Sequence, residues 1–306
     1  MNIGIVGGGA MGCMFAYFLR NAGSLAVYEK SSEAAEALAQ GITIRLENTT
    51  QKLRLNASAN PSAVADSDFI LFFVKSYSTK AAAADIKPFV KPTARLISLQ
   101  NGLGNAEAIR SSLPDNPLLY GTTTIGATKH GLSEVRAGGM GGITLGGDAD
   151  VFASVEGLFT DAGLSVSFSD KPDAIIWQKA IINAAINPLG AILKTSNGVL
   201  AENKYTARLM ADITAEAVAA ARAVGISVDE QTLYETVLDV CKKTAVNECS
   251  MLQDIKNGRQ TEIESITGRI LSAAEDGGVH AQTNKAVYLL VKAMELRADE
   301  RRGYDK

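Results

Sequence analysis

Ile3-Gly-Ile-Val-Gly-Gly-Gly-Ala-Met-Gly12, running on into Cys13-Met-Phe-Ala-Tyr-Phe-Leu19, decides the fold. A short apolar, β-branched run ends in glycines, and from Met11 to Asn21 the apolar residues recur at helical spacing. Ser24 to Tyr28 reads as a second strand. Ser31 to Gln40 reads as an alanine-rich helix stopped by Gly41. These segments make a β-α-β unit.

Gly7-x-Gly9-x-x-Gly12 closes the first strand and opens the first helix. Gly7 permits the tight turn, Gly9 lets backbone approach an anion closely, and Gly12 lets helix pack on strand. The helix N-terminus then offers unpaired N–H groups and the positive end of its dipole. In this context the turn, Gly7-Gly8-Gly9-Ala10-Met11-Gly12, is expected to hold the pyrophosphate of a nicotinamide dinucleotide. Glu29 ends the second strand 22 residues beyond Gly7, where an acid would bond a ribose 2′-OH and favour NAD. Lys30 beside it could instead pair with a 2′-phosphate and favour NADP. A solvated loop pair is the plain alternative for both.

Outward from this unit, Ile42–Leu46 and Lys52–Leu55 alternate around Asn48-Thr-Thr50 as an inserted hairpin would. Asp68–Val74 and Ala94–Leu99 suit buried parallel strands. Leu118–Gly126 and Gly142–Gly146 read as further strands separated by a glycine-rich stretch, followed by a helix over Asp150–Ala162 and a strand at Leu164–Phe168. From Asp173 onward the spacing is helical almost throughout. The expected fold is therefore α/β, with a Rossmann-type domain over residues 1–170 and an all-α domain over 171–306. The charged tail from Arg297 to Lys306 is expected to fray.

Composition limits the function. The chain has 306 residues, 46% hydrophobic and 21% charged, with a net charge of −3 and no long basic block, which argues against nucleic-acid or anionic-membrane partners. Met1 to Leu19 is uncharged but has no cationic start and is broken by three glycines, unlike a signal or spanning segment. A cytoplasmic protein with a small-molecule substrate is expected. Cys13, Cys241 and Cys249 are too scattered for a disulfide framework or a cysteine zinc site. With only His130 and His280, a multi-histidine metal centre is excluded and a Ser-His-Asp hydrolase disfavoured. No metal is expected, and acid–base work falls to lysine, carboxylate or tyrosine.

The helical half offers such groups. Residues 174–193 are apolar on most faces, yet Lys179, Asn183 and Asn187 fall at i, i+4 and i+8, a narrow polar stripe. Burying an ammonium and two amides is costly without partners. A wet substrate cleft explains the three in register better than a structural network does. Ser250-Met-Leu-Gln-Asp254 and Arg259-Gln-Thr-Glu262 form a second polar cluster, which a solvated, ion-paired helix face would also explain. Cys249 reads as a packed residue, not a nucleophile.

The chain resembles the ketopantoate reductase (2-dehydropantoate 2-reductase) family from end to end. The resemblance rests on Gly7-Gly-Gly-Ala-Met-Gly12, Val74-Lys75, Gln100-Asn-Gly102, Trp177-Gln-Lys179, Asn183-Ala-Ala-Ile-Asn187-Pro188, Ser250-Met-Leu-Gln-Asp254 and Thr261-Glu262. It implies a Rossmann domain joined to a helical domain of the 6-phosphogluconate dehydrogenase kind, with the active site in the cleft between them. It implies reduction of ketopantoate to (R)-pantoate, toward pantothenate and coenzyme A, usually with NADPH. Lys179 would be the general acid, and Glu262 its charged or hydrogen-bonded partner and a cofactor contact. Asn183, Asn187, Asn197 and Ser250 would hold substrate, and Lys75 and Asn101 would face nicotinamide and substrate. A homodimer formed through the helical half is also implied. Where the family commonly has a neutral residue followed by arginine after the second strand, this chain has Glu29-Lys30. Lys30 lacks arginine's bidentate fork and Glu29 would repel a 2′-phosphate, so NADH enters beside NADPH. Two other readings stand: a related reductase of another small 2-oxo acid, and a nicotinamide-sensing protein that has lost catalysis. A buried lysine stripe has no physical use in the latter.

Overall fold

A computed structural model describes the backbone of residues 1–304 and the side chains of residues 1–296. The side chains of the Arg297–Lys306 tail, and with them its expected fraying, lie outside the described residues. The chain divides into two compact units, residues 1–100 with 104–172, and residues 101–103 with 173–306.

The first unit carries twelve strands. In chain order they are β1 (Asn2–Val6), β2 (Ser24–Tyr28), β3 (Ile42–Arg45), β4 (Thr50–Leu53), β5 (Asn56–Ser58), β6 (Phe69–Phe72), β7 (Arg95–Ser98), β8 (Leu118–Thr123), β9 (Gly126–His130), β10 (Glu134–Gly139), β11 (Ile143–Gly147) and β12 (Val166–Phe168). The main sheet runs β12-β11-β8-β7-β6-β1-β2-β5. It is parallel from β5 through β8, and reverses where β11 meets β8. β1 is central because Ile3, Ile5 and Val6 are apolar on both faces, as a strand covered on both sides must be. Chain order reverses at β1, with β2 on one flank and β6 on the other. The crevice beyond the strand ends at such a point is where open α/β sheets bind ligands.

Helix α1 (Ala10–Phe18) follows β1, and residues 12–17 are all buried. A helix apolar around its whole circumference needs cover on more than one side. The cover comes from a second sheet, β4-β3-β10-β9, whose Ile42, Ile44 and Val135 join Met14, Phe15 and the main-sheet residues in one core. The expected hairpin is β3–β4. The strand expected over Leu118–Gly126 instead ends at Thr123, and β9 and β10 form a further hairpin that the sequence pattern does not reveal. Lys129, His130, Glu134 and Arg136 leave too little apolar alternation there, and the glycines around Gly138 partly belong to β10. Helix α2 (Ser32–Gln40) is capped by Ser31, whose hydroxyl accepts the Ala34 N–H, and stops at Gly41 with φ +129°. α3 (Thr79–Ile86), α4 (Asn105–Ser112) and α5 (Phe152–Asp161) complete the unit.

The second unit is helical among the described residues: α6 (Pro172–Leu193, starting in the last residue of the first unit), α7 (Asn197–Glu202), α8 (Lys204–Ala223), α9 (Glu230–Lys243), α10 (Ser250–Lys256), a π-helical turn (Glu264–Gly268), α11 (Arg269–Asp276) and α12 (Gln282–Tyr304). Ile181, Ala184, Ala185 and Ile186 of α6 pack with α8 and α11 residues in its main core. No described helix is long and apolar enough to cross a membrane.

Candidate active site

In the first unit the glycine turn is built by exclusion. Gly7 has φ +106°, and its N–H donates to the Tyr28 carbonyl at 2.9 Å. A β-carbon there would meet the Val74 backbone nitrogen at 2.7 Å, so only glycine lets the turn pass the end of β6. A β-carbon on Gly8 would strike Leu38, and one on Gly12 would strike the Gly7 carbonyl. Gly9 differs: a β-carbon there would meet nothing within 4 Å. Three of these glycines serve the protein's own packing, and the fourth leaves open space over bare backbone. Gly9 caps α1 with no side-chain bond, and no acid stands in the helix's first turn. An anion laid over Gly9 would meet free N–H groups and the helix dipole. These residues fit a dinucleotide pyrophosphate.

Glu29 lies against this turn. One carboxylate oxygen accepts the Gly8 N–H at 2.8 Å and the other the Ser31 N–H at 3.1 Å. Lys30 is not at the turn. Its Nζ stands 3.5 Å from Asp85 of α3 with the side chain 78% exposed, and Asp85 also accepts the Tyr28 hydroxyl at 3.0 Å. Burial and the Asp85 bond push the Tyr28 phenol up to about 12.

Lys129 of β9 also reaches the glycine turn, a contact that the sequence pattern does not foretell. Its ammonium donates to the Gly8 carbonyl at 2.7 Å, and Cys13 donates to the same oxygen at 3.2 Å. Both polar groups of Gly8 are thus fixed. Nothing local marks Lys129, because its strand is itself unmarked. Lys75 follows β6 at the start of a short 3₁₀ turn, Ser76–Ser78. Beside it the Gln100 amide donates to the Val74 carbonyl and the Thr79 hydroxyl, each at 2.7 Å.

In the second unit, Lys179 and Asn183 are half-buried on α6 and Asn187 is buried. Desolvation pulls the Lys179 ammonium down to about 8, against a smaller upward pull from the Glu262 carboxylate. Glu262 is only 7% exposed, so the solvated face that a charged run usually indicates does not hold for it. It does hold for its neighbours. Arg259 pairs with Asp254 at 3.0 Å, and Glu264 pairs with Lys292 at 3.0 Å while accepting from Tyr288 at 2.8 Å.

Glu262 is held from both sides in sequence. Thir preceding residue, Thr261, is bonded to Glu295 of α12, and the π-helical turn follows, with the Gly268 N–H donating to the Ile263 carbonyl at 2.9 Å. Ser265 in that turn accepts the Leu103 N–H at 2.7 Å, and a β-carbon on Gly102 (φ +88°) would press on Ser265. Asn101 therefore sits in a segment fastened to the Glu262 region. Ser250 is exposed at the start of α10. Cys249 caps that helix, buried, with its thiol donating to the Asn187 carbonyl at 3.4 Å and burial pushing its pKa up, which suits a packed and unreactive group. Asn197 is buried at the start of α7 and its amide donates to Thr244 at 2.8 Å.

A family model described as ketopantoate reductase PanE/ApbA matches residues 3–149, and its C-terminal counterpart matches residues 173–295. The chain belongs to the ketopantoate reductase family. A 2-dehydropantoate 2-reductase of Vibrio cholerae serotype O1 is 32% identical over 302 residues, spanning 96% of this chain and 98% of that one. The crystal structure of a PanE/ApbA family ketopantoate reductase from Ralstonia eutropha JMP134 matches with a TM-score of 0.89 at 29% identity, over 98% of this chain and 100% of that one. A D-mandelate dehydrogenase in ternary complex with NADH and anilino(oxo)acetate matches with a TM-score of 0.91 at 26% identity and the same coverage. In this member of the ketopantoate reductase family the pair Glu29-Lys30 is split, the acid bonded to the turn and the base drawn away from it.

Proposed function

We propose that this chain reduces 2-dehydropantoate to (R)-pantoate, a step toward pantothenate and coenzyme A, with a reduced nicotinamide dinucleotide. One observation carries the reading: Lys179, half-buried on α6 in register with Asn183 and Asn187, has its pKa drawn down to about 8 beside a buried Glu262. The names borne by the relatives supply the substrate. The reduced dinucleotide supplies a hydride to the carbonyl carbon. Gly9, Ala10, Met11 and Gly12 are assigned to its pyrophosphate, Glu29 to the ribose, and Lys75 to the nicotinamide end.

Lys179 is the general acid. Negative charge grows on the carbonyl oxygen as the C=O π pair moves onto it, and the Lys179 ammonium gives that oxygen a proton, leaving a neutral amine. An ammonium with a pKa near 8 is still charged at neutral pH, yet releases its proton more readily than an ordinary lysine. Glu262 keeps it from falling further and steadies the cation while it waits. Asn101, Asn183, Asn187, Asn197 and Ser250 are assigned to the substrate's hydroxyl and carboxylate, as amide and hydroxyl donors of fixed direction. The family resemblance implies NADPH as the donor, and the pair Glu29-Lys30 bears on that choice.

A second reading, reduction of another 2-oxo acid, is favoured by the likeness to D-mandelate dehydrogenase. One experiment addresses both: loss of reduced-nicotinamide absorbance with ketopantoate and with phenyl-substituted 2-oxo acids, for the wild type and Lys179→Ala. Fast turnover of ketopantoate, lost in the variant while the dinucleotide still binds, is the expected result. Preference for the aryl acid would move the assignment to the second reading. Near-normal turnover by Lys179→Ala would remove the general acid.

A further inference from the structure

We infer that this chain selects NADH over NADPH, with Glu29 as the discriminating residue and Asp85 as its accessory. The inference rests on the reading of the glycine turn as a dinucleotide site, and departs from the cofactor the family resemblance implies.

Glu29 is not a loose surface acid. Its backbone N–H donates to the Ser58 carbonyl of β5 at 3.0 Å, and its carboxylate is held between the Gly8 and Ser31 N–H groups at 2.8 and 3.1 Å. Charge-assisted bonds to two backbone donors hold it in place. A carboxylate has about four acceptor sites. Two are taken, and the remainder can accept from a pair of neighbouring hydroxyls, which is what an unmodified ribose offers. A 2′-phosphate offers no donor in its dianionic form and brings about −1.5 to −2 charges toward a carboxylate that cannot swing away.

The cation that could offset this is engaged elsewhere. Lys30 pairs with Asp85, whose same oxygen is anchored by the Tyr28 hydroxyl at 3.0 Å. Asp85 thereby fixes a second negative charge on this side of β2 and holds the Lys30 ammonium toward α3. Lys129, the other base at the turn, is committed to the Gly8 carbonyl at 2.7 Å. Close packing keeps the acid against the turn, since a β-carbon on Gly8 would lie only 3.2 Å from the Glu29 carboxylate.

The test is calorimetric binding of ADP-ribose and of 2′-phospho-ADP-ribose to the full chain, in the absence of substrate. The wild type is expected to bind ADP-ribose at least about tenfold more tightly, a ratio that shrinks as salt is added. Glu29→Gln keeps the shape and removes the charge, and should narrow the ratio severalfold. Asp85→Asn leaves the turn untouched and frees Lys30, and should strengthen binding of the phosphorylated ligand alone. It also keeps the test open if Glu29→Gln does not fold. Equal or tighter binding of 2′-phospho-ADP-ribose by the wild type would overturn the inference, as would an unchanged ratio in both variants. Binding of neither ligand would remove the dinucleotide reading and this inference together. A clear preference for ADP-ribose without ketopantoate turnover would leave it standing and remove only the substrate.

Discussion

Glu295 of α12 accepts both the backbone N–H and the hydroxyl of Thr261 through one carboxylate oxygen, each at 2.7 Å, while its other oxygen lies 3.1 Å from the Lys292 ammonium. Thr261 is 1% exposed and immediately precedes Glu262. The pair therefore fixes the backbone from which the proposed partner of Lys179 projects. Glu295→Ala would leave two buried donors unsatisfied, at a cost of about 2–4 kcal/mol. Urea unfolding should show that loss, and Glu295→Gln, which keeps an acceptor, should recover about half of it. Unchanged stability in both variants would show that the bonds are replaceable by water.

A second prediction concerns pH. The Lys179 pKa in the folded chain is about 8, below its ordinary 10.5, and the proposed chemistry needs the protonated form. The reduction rate should hold through neutral pH and fall tenfold for each unit above about pH 8. Glu262 raises the Lys179 pKa, so Glu262→Gln should move this alkaline limb toward lower pH. The limb, read from kcat against pH, would tell against Lys179 if it stayed in place in that variant.

The glycine turn gives a paired prediction. Gly12→Ala sets a β-carbon against the Gly7 carbonyl, a backbone atom with no easy retreat, and should cost about 1–3 kcal/mol along with dinucleotide affinity. Gly9→Ala meets nothing within 4 Å and has a negative φ of −70°. It should melt like the wild type while binding dinucleotide at least tenfold more weakly. Undiminished binding by Gly9→Ala would mean that the anion does not lie over that backbone.

Acid should loosen the helical unit at one identifiable place. Burial alone would raise the Glu216 pKa, but bonds from the Asn284 and Thr283 N–H groups and the Asn284 amide outweigh it, and the net shift is downward. A depressed acid contributes stability above its unfolded value, and that contribution disappears as pH falls through the folded one. Hydrogen exchange at the start of α12 should therefore accelerate on acidification below the ordinary carboxylate range, and Glu216→Gln should abolish the acceleration. An acid response unchanged by that variant would place its origin elsewhere.

How much of this could be read in advance depended on whether the signal was local. The turn at Gly7–Gly12 was legible because steric exclusion acts within a few residues of strand and helix. The stripe of Lys179, Asn183 and Asn187 was legible because helical periodicity turns spacing directly into a common face. Glu262 was harder. The backbone beside it is held through Thr261 by Glu295, more than thirty residues away, so in sequence it looks like any charged helix residue. Lys129 was illegible for the same reason: β9 is a strand by virtue of pairing with β10 and covering α1, and its own residues alternate poorly. The order of Glu29 and Lys30 was plain, but the partition of the pair, acid to Gly8 and base to Asp85, needed three dimensions.

The π-helical turn over Glu264–Gly268 has a consequence for how this chain can evolve. Each i→i+5 bond spends one more residue than an α-helix would, so the turn is a one-residue surplus retained just after Glu262. Deleting a single residue there would regularise the helix and should raise its intrinsic stability. The same deletion would remove or shift the Ser265 carbonyl that seats Leu103, and with it the tie to the segment carrying Asn101. A selection for thermal resistance alone would thus be drawn toward an inactive enzyme, and stabilised libraries of this chain should be screened with turnover in the loop from the first round.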